Sequence, residues 1–318
     1  MKLSFICPCY NEEKNVKPFL KSIYDSFPAV NDYEVIFIND GSTDNTFEAL
    51  KELKKASPQN IKIINFSRNF GKEAAMYAGL QNCIGDFVTI IDTDLQQSPE
   101  TVKEMLKVLE ANPDADCVCA CQENRKEGAF SKFCKKAFYK IADKFTDAEF
   151  VDGASDFRTF RSYVKDAVLS LGEYHRITKG IFSWVGFNTI NIPYTANERN
   201  SGKSSFSFFK LLKYGLNGII SFTTAPLKFA SYVGGVAIFF SIIYMIVTVI
   251  RKLVSDINVD GFTQLVILIA FLGGIQLFSI GIIGEYIAKN YIETKKRPIY
   301  IAKEIIDYDK KDDFRLNF

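Results

Sequence analysis

Two acidic residues separated by one position, Asp92 and Asp94, form the segment of this sequence that is best suited to chemistry. They follow directly after the apolar run Phe87–Ile91, which has the composition of a buried strand. Two carboxylates at a strand end can hold a hard divalent cation, and Gln96 adds a further oxygen ligand. The sequence therefore predicts a Mg²⁺ or Mn²⁺ site at Asp92, Asp94 and Gln96, where the cation would neutralise a diphosphate.

The elements that must position these residues are short apolar runs that alternate with helical patterns. Strands are predicted at Leu3–Cys9, Glu34–Asn39, Ile61–Phe66, Phe87–Ile91 and Asp116–Cys121, with helices near 13–26, 43–56, 72–82 and 99–111. This alternation indicates an α/β fold with a mostly parallel sheet covered on both faces, in which ligands bind beyond the carboxyl ends of the strands. Polar segments follow four of the strands: Tyr10–Glu12, Asp40–Ser42, Ser67–Asn69 and Asp92–Asp94. We expect these segments to share one functional edge of the sheet.

Other common nucleotide and catalytic motifs are incomplete. No G-x-G-x-x-G follows a strand, which argues against a dinucleotide site of that type. The segment Gly202–Ser204 imitates the end of a P-loop, but Asn197 stands where its first glycine would be, so ATP hydrolysis is excluded. Neither a nucleophile elbow nor a Ser/His/Asp set is present.

Composition sets further limits. The 39 Lys+Arg and 37 Asp+Glu leave a net charge of +2, so there is no global electrostatic argument for nucleic acid. With 47% hydrophobic residues the chain can bury a sizeable core, which excludes disorder. Cys117, Cys119 and Cys121 alternate in an apolar run, and with His175 as the only histidine a buried strand face is favoured over a zinc site.

Two long uncharged stretches point to a membrane. They contain 22 residues after Lys228 and 24 residues after Asp260, and at about 1.5 Å per residue each can cross a hydrocarbon core of ~30 Å. The alternative, a buried hairpin in a soluble protein, is less favoured. The connection 251–260 carries fewer cations than the outer flanks, so the positive-inside rule predicts a multi-pass protein of the plasma (inner) membrane with its catalytic domain and both termini in the cytosol.

Two amphipathic segments support that prediction. Residues 128–146 combine phenylalanines at helical spacing with several lysines, which fits either a solvated basic face or contact with anionic lipid. Residues 206–221 place lysines on one face and apolar side chains on the other, and we expect a helix along the membrane interface.

The order of the polar segments resembles a known family. The segments Pro8–Glu13, Asn39–Asp44, Ser67–Glu73 and Asp92–Gln96 look like successive motifs of the family 2 glycosyltransferases. More narrowly, they resemble polyprenyl-phosphate glycosyltransferases of the bactoprenol glucosyltransferase and dolichyl-phosphate mannose synthase type. The segments Gly153–Arg158, Ser183–Phe187 and Thr223–Leu227 are similar to motifs of the bactoprenol branch. The resemblance covers nearly the whole chain.

The resemblance implies a GT-A type domain, Rossmann-like with a mostly parallel sheet, and a set of site residues. Nucleotide-sugar binding is implied for Pro8, Tyr10, Asn11, Glu12, Asp40, Ser42, Lys72, Asp92, Arg199 and Lys203, with Asp40 reading the base. Catalytic roles are implied for Asp94, Asp156 and Arg158, and contacts with the lipid phosphate for Arg125, Ser131 and Lys135. Ser205 follows Ser204 where the family usually has lysine, so Lys203 is the candidate for that charge.

The implied organisation has four parts. They are a GT-A domain over 1–205, an interfacial helix over 206–227, a transmembrane hairpin over 228–288 (spans near 229–250 and 262–284) and a cytosolic tail over 289–318. The implied partners are a nucleotide sugar, a polyprenyl phosphate and the membrane, and a homo-oligomer is left open.

The implied reaction is inverting transfer of a hexose, with glucose from UDP-glucose expected to go to undecaprenyl phosphate. An acceptor phosphate is already anionic, so the reaction needs orientation and charge stabilisation more than a strong base. Two alternatives stay open: the same reaction with UDP-N-acetylglucosamine or GDP-mannose, and a membrane scaffold that binds nucleotide sugar without turnover.

Overall fold

The computed structural model describes residues 2–29, 32–57, 60–122, 154–197, 223–254 and 261–307. The chain divides into two compact units. The first holds the described residues up to 197 together with 297–307, and the second holds those between 223 and 296.

The first unit alternates strands and helices as predicted. Its elements in chain order are β1 (Leu3–Cys9), α1 (Val16–Ser26), β2 (Tyr33–Asn39), α2 (Thr46–Ala56), β3 (Ile61–Phe66), α3 (Lys72–Asn82), β4 (Phe87–Ile90), α4 (Pro99–Ala111), β5 (Cys117–Gln122), β6 (Ala154–Arg161), α5 (Ser162–Ser170), α6 (Thr178–Trp184), β7 (Thr189–Tyr194) and β8 (Ala302–Ile306). All five strands and four helices predicted between residues 3 and 121 are present. Their ends differ from the predicted ones by at most three residues.

Local sequence explains where these elements form. Helix α1 buries Val16, Phe19, Leu20 and Ile23, whose spacing places them on one helical face. Helix α4 begins with Pro99, and the side chain of Ser98 accepts a hydrogen bond from the Glu100 backbone N–H at 3.2 Å.

The eight strands form one sheet in the order β7-β5-β6-β4-β1-β2-β3-β8. Strand β1 pairs in parallel with β2 and β4, and β2 pairs in parallel with β3. Every residue of β2, β3 and β4 is buried, as expected for strands covered on both faces. Cys117 and Cys119 are buried on β5, as predicted, whereas Cys121, near the end of this strand, is only partly buried.

Strand β6 has a special place because it lies between β4 and β5 and runs antiparallel to both. Ile90, the last residue of β4, lies opposite Arg158 of β6. The amino end of β6, with Asp156, therefore comes to the carboxyl end of β4, which Asp92 follows. The chain order of the strands did not predict this insertion.

The second unit consists of α7 (Ala225–Val254) and α8 (Phe262–Thr294). The stretches Ala225–Thr248 and Phe271–Thr294 of these helices have mean hydropathies of 2.0 and 1.5. In the most apolar part of each stretch, no residue is buried. Both helices are long and apolar enough to cross a membrane, which confirms the predicted apolar pair. Tyr286 donates its hydroxyl hydrogen to the Thr223 carbonyl oxygen at 2.6 Å. Of the predicted interfacial segment 206–227, residues 206–222 lie outside the described residues and α7 already begins at Ala225.

The segment after the hairpin differs from the predicted tail over 289–318. Helix α8 continues to Thr294, and β8 pairs antiparallel with β3 in the first unit. Asp307 fixes the end of this strand, since one of its carboxylate oxygens lies 3.3 Å from Lys62 Nζ. A five-residue strand beside a strongly charged terminus has too short a pattern to be recognised in sequence. Residues 308–318 lie outside the described part.

Candidate active site

The predicted functional edge exists at the carboxyl ends of β1 to β4. Because these strands are parallel neighbours, the loops that follow them converge. The loop after β4 contacts β1 directly, since the Thr93 hydroxyl donates to the Pro8 carbonyl oxygen at 3.3 Å. All eight predicted donor-site residues that the structure describes come together here: Pro8, Tyr10, Asn11, Glu12, Asp40, Ser42, Lys72 and Asp92.

The loops after β1 and β2 are locked to each other by hydrogen bonds. The Asn11 backbone N–H donates to Ser42 Oγ at 3.0 Å, and Asn11 Oδ1 accepts from the Thr43 N–H at 2.8 Å. Asn11 has a φ of 57°, a left-handed conformation that asparagine tolerates better than most residues. The Glu12 N–H donates to Thr46 Oγ1 at 2.8 Å, while the Tyr10 side chain remains 47% exposed. These two loops therefore form a prearranged platform with an exposed aromatic ring.

Asp40 connects β2 to the loop 67–71. Its two carboxylate oxygens accept the backbone N–H groups of Phe70 and Gly71 at 2.7 and 2.9 Å. Burial raises the pKa of Asp40, and these two hydrogen bonds oppose that effect. Gly41, with a φ of 60°, allows the loop to approach, because a Cβ there would lie 2.3 Å from the carbonyl carbon of Arg68. Base reading by Asp40 stays a prediction.

The Asp92–Asp94 segment is braced by a neighbouring glutamine that sequence reasoning did not select. Gln97 is buried and makes two hydrogen bonds with Asp92: its Oε1 accepts the Asp92 N–H at 2.8 Å, and its Nε2 donates to Asp92 Oδ2 at 3.1 Å. Asp94 Oδ1 accepts the backbone N–H of Gln96 at 3.1 Å. Asn197 joins this loop by donating its N–H to the Gln96 carbonyl oxygen at 3.0 Å.

Lys72, at the start of α3, bridges two carboxylates that are far apart in sequence. Its Nζ lies 2.6 and 2.8 Å from the two oxygens of Asp92 and 3.5 Å from Asp156 Oδ2. Burial would lower the pKa of Lys72, but the charges of Asp92 and Asp156 outweigh it and raise that pKa. The ammonium therefore stays charged and joins the loop after β4 to strand β6.

Asp156 lies among cations. Burial alone would raise the pKa of Asp156, but the positive charges of Lys72, Lys179 and Arg158 together hold it below its usual range. Asp156 is thus an anion near neutral pH. Among the described residues its Oδ1 is buried without a hydrogen-bond partner. A buried carboxylate oxygen in this condition has bonding capacity left for a ligand.

Arg158 is placed more deeply than a residue in direct contact with substrate would need. It is buried, its guanidinium carbon lies 4.2 Å from the centre of the Phe182 ring, and Nη2 donates to the Ser155 carbonyl oxygen at 2.9 Å. Its Nε is a second buried polar atom without a partner in the described part of the chain. Its predicted catalytic role stays untested, and its charge acts on Asp156.

Two functional-looking residues were missed by sequence reasoning: Glu73 and Lys179. Glu73 Oε2 accepts hydrogen bonds from both the backbone N–H (2.8 Å) and the hydroxyl of Thr178, which fixes the first residue of α6 to α3. Burial raises the pKa of Glu73, and the charge of Asp156 adds to this, against the lowering by the Thr178 hydrogen bonds. Lys179 follows Thr178 and acts on Asp156. Glu73 is the last residue of the Ser67–Glu73 motif, but the resemblance implied no role for it, and its partner Thr178 lies 105 positions further along the chain. Lys179 belongs to none of the recognised motifs.

Asp92 and Asp94 could hold a divalent cation only together with a ligand, because both oxygens of Asp92 already lie within 2.8 Å of Lys72 Nζ. In the described segments, no group of three or more His, Cys, Asp or Glu side chains could hold a metal by itself. Mg²⁺ in particular is bound by one or two carboxylates together with phosphate oxygens and water, and Asp92 and Asp94 provide such a pair. The role of Gln96 as a third ligand stays a prediction.

Several predicted residues lie outside the described residues. These are the lipid-phosphate candidates Arg125, Ser131 and Lys135, and the loop candidates Arg199 and Lys203. The predicted basic helix 128–146 lies in the same part of the chain.

Comparison with known proteins gives two matches that fall on the two units. Residues 4–168 match Glycosyl transferase family 2, and residues 225–289 match the GtrB C-terminal hairpin. CsbB of Bacillus subtilis (strain 168) is 41% identical over 95% of this chain and 91% of its own length. The prophage bactoprenol glucosyl transferase homolog of Escherichia coli (strain K12) is 37% identical over 96% of this chain and 99% of its own length. The SfII prophage-derived bactoprenol glucosyl transferase of Shigella flexneri is 38% identical over 96% of this chain and 98% of its own length.

Proposed function

The chain belongs to glycosyl transferase family 2, and from this premise we propose that it transfers glucose from UDP-glucose to undecaprenyl phosphate with inversion at the sugar. The names of the Escherichia coli and Shigella flexneri relatives support both the glucosyl group and the bactoprenol acceptor. UDP-N-acetylglucosamine and GDP-mannose are the alternative donors.

The observation that carries this proposal is the bridge made by Lys72. Its ammonium is 2.6 Å from Asp92, in the proposed diphosphate site, and 3.5 Å from Asp156, in the proposed acceptor site. A donor diphosphate held at Asp92 through a cation and an acceptor positioned beside Asp156 would lie within a few ångströms of each other. This proximity suits direct transfer between two bound reactants, without a covalent enzyme intermediate.

In the proposed step, an oxygen of the acceptor phosphate forms a bond to the anomeric carbon. The bond from that carbon to the donor diphosphate breaks, and the nucleoside diphosphate leaves with the electron pair. Attack on the face opposite the leaving group inverts the sugar. A phosphate monoester has a second pKa of about 6, so the nucleophile is anionic near neutral pH and needs no strong base.

The residues of this chain would then orient charge. Asp92 and Asp94 would hold a divalent cation, Mg²⁺ or Mn²⁺, which neutralises the departing diphosphate when bound. Lys72 would keep Asp92 and Asp156 in place and add positive charge near the reacting phosphates. Asp156 would orient the acceptor or the sugar through Oδ1, which has no hydrogen-bond partner among the described residues.

The proposed location is the plasma (inner) membrane, crossed by α7 and α8, with the first unit and both termini in the cytosol. The match of residues 225–289 to a hairpin family and the excess of cations outside the 251–260 connection support this topology. In a Cys-free background, Asp256→Cys should react with an impermeant maleimide added outside cells, while Lys2→Cys and Lys310→Cys should be protected. Labelling of the termini instead would reverse the topology.

The reaction itself is tested with purified full-length protein, undecaprenyl phosphate and labelled UDP-glucose, UDP-N-acetylglucosamine or GDP-mannose. We expect a glucosyl lipid whose anomeric configuration, read by NMR, is opposite to that of the donor. Asp94→Asn should abolish transfer, with and without added Mg²⁺ or Mn²⁺, at an unchanged melting temperature. Transfer from another donor would show that the transferred sugar is not glucose. A product with the same anomeric configuration as the donor would overturn the proposed inversion. An active Asp94→Asn variant would overturn the proposed metal site.

A further inference from the structure

The segment that returns after the hairpin touches the loop that joins β3 to α3. Strand β8 pairs with β3 through Ile63–Ile306, Ile64–Ile305, Asn65–Glu304 and Phe66–Ala302. One residue beyond this ladder, the Ser67 backbone N–H donates to the Ile301 carbonyl oxygen at 3.0 Å. Ser67 is the first residue of the loop 67–71, so the returning segment fixes the point where this loop leaves the sheet.

Aromatic contacts extend this support further into the loop. The Tyr300 ring stacks on Phe66 with a centroid distance of 4.9 Å and an interplanar angle of 21°. Phe66 in turn meets Phe70 edge to face at 5.7 Å, and Arg68 lies over the Phe70 ring at 4.1 Å. The backbone N–H groups of Phe70 and Gly71 are the ones that Asp40 accepts. A continuous series of contacts therefore runs from Tyr300 to Asp40.

The far end of the loop is also a functional position. Lys72 follows Gly71 directly and bridges Asp92 and Asp156. Burial raises the pKa of Tyr300, and the nearby side chain of Asn82, at the other end of α3, opposes that effect. The Tyr300 ring thus contacts the end of β3, from which the loop starts.

We propose that the returning segment 297–307 positions the donor-binding loop 67–71, and that Tyr300 is the positioning residue through its stack on Phe66. The proposal rests on the proposed function for the role of the loop in nucleotide-sugar binding. Tyr300 itself need not touch the donor. The residues that give this support, Tyr300 and Ile301, follow the hairpin in sequence.

A purely structural role is separable from a positioning role. Strand β8 is the last strand of the sheet and its residues are only partly buried, whereas β2 and β3 are wholly buried. Removing the Tyr300 ring should therefore leave the core intact and release the loop. The matching control is Tyr163→Ala: this tyrosine packs against Phe187 at 5.7 Å and hydrogen-bonds to Asp116, before the amino end of β5.

The experiment compares full-length wild type, Tyr300→Ala, Tyr300→Phe and Tyr163→Ala, with UDP-glucose as the probe. For Tyr300→Ala we expect the Kd and KM for UDP-glucose to rise roughly 3- to 10-fold, the size of one lost aromatic stack, with kcat within about twofold. Amide hydrogen exchange at Phe70 and Gly71 should become faster. Tyr300→Phe keeps the ring and should restore most of the binding, and Tyr163→Ala should match the wild type in all three measurements.

Unchanged exchange at Phe70 and Gly71 and an unchanged Kd in Tyr300→Ala would overturn the proposal. It would also fail if Tyr163→Ala weakened binding equally, because the effect would then be general destabilisation. If the wild type bound no UDP-glucose but Tyr300→Ala still exchanged faster at these two amides, the proposed donor would fail while the support of the loop by Tyr300 would stand. Equally slow amide exchange at Phe70 and Gly71 in the wild type and in Tyr300→Ala would overturn the inference, whichever donor the protein uses.

Discussion

Two buried carboxylates at opposite ends of the sheet have very different hydrogen-bond and charge environments. Glu34, near the amino end of β2, is fully buried and accepts hydrogen bonds from Ser4 Oγ at 2.5 Å and from the Ile84 N–H at 2.8 Å. Ser4 Oγ also accepts the Gly85 N–H at 2.8 Å, so this cluster ties three segments together. Asp156, at the carboxyl edge, has a lysine at 3.5 Å on one oxygen and no hydrogen bond on the other within the described chain.

The difference separates a carboxylate that is buried to stabilise the fold from a carboxylate that is buried where a ligand can bind. Ser4 and Ile84 donate hydrogen bonds to Glu34 from fixed positions within the fold. Asp156 is held in its charged form by Lys72, Lys179 and Arg158, and among the described residues it keeps a buried oxygen without a partner. Buried polar atoms are nearly always satisfied in native proteins, so an exception at the edge where strands end marks a position for a ligand.

Among the variants that test this comparison, we expect the largest loss of activity from Asp156→Asn. The change keeps shape but removes the charge that we place against the substrates, so kcat/KM should fall roughly 10²- to 10³-fold. The melting temperature should stay the same or fall, because the charged Asp156 is stabilised by Lys72, Lys179 and Arg158 and the variant loses that charge. Steady-state transfer and a thermal melt of the same preparation provide the check. A variant that melts earlier but turns over normally would place Asp156 in the same structural class as Glu34.

Lys72→Met should have the next largest effect, a roughly 10- to 100-fold loss of kcat/KM from one charge-assisted contact. The loss of Lys72 should also shift the pH–rate profile in a defined direction. In the wild type the pKa of Asp156 lies below its ordinary value, so its charge persists as the pH falls. Without Lys72, burial is opposed by fewer cations and the pKa of Asp156 rises. The acid limb of the pH–rate profile should therefore move to higher pH.

Lys107→Met is the matched control for this lysine, since Lys107 is exposed on α4. It should leave both the rate and the pH profile as in the wild type. An acid limb that stays in place in Lys72→Met would show that Lys72 does not control the charge of Asp156.

Glu34→Ala is expected to have the smallest effect on activity. It leaves the Ser4 hydroxyl and the Ile84 N–H without their acceptor, which should cost roughly 1–3 kcal/mol of folding stability and lower Tm. The kcat/KM per folded molecule should remain within about twofold of the wild type. Glu34→Gln, which keeps one oxygen acceptor, should lose less stability. A large loss of activity in folded Glu34→Ala would break the contrast between the two ends of the sheet.

Sequence alone predicted the parallel part of the sheet well, because β1 to β4 are four adjacent parallel strands with a helix between each pair in the chain, although in space β4 lies beside β1. Their continuous apolar runs and the polar residues after them gave both the strands and the edge where Asp40 and Asp92 lie. The insertion of β6 between β4 and β5 could not be predicted in this way. It depends on antiparallel pairing between segments about 70 residues apart, as in the Thr89–Thr159 contact.

The same limit applies to the site. The resemblance selected Asp156 and Lys72 separately, but their contact and the contribution of Lys179 depend on where β6 and α6 pack. Gln96 was selected for its place after Asp94, whereas the glutamine that braces Asp92 is Gln97, because the turn at Leu95, with a φ of 64°, directs the next residues differently. Local pattern gives residue types and order, but it does not give the directions of side chains in a turn.

Strand β8 also bears on how the catalytic unit could be studied without its membrane helices. A protein that ended before the hairpin would leave the outer side of β3 with a row of unpaired N–H and C=O groups, a template for strand addition from another molecule. Such a truncated protein should aggregate through this strand at high concentration. Supplying residues 297–307 on a flexible linker, or as a separate peptide, should cap the strand and reduce this aggregation.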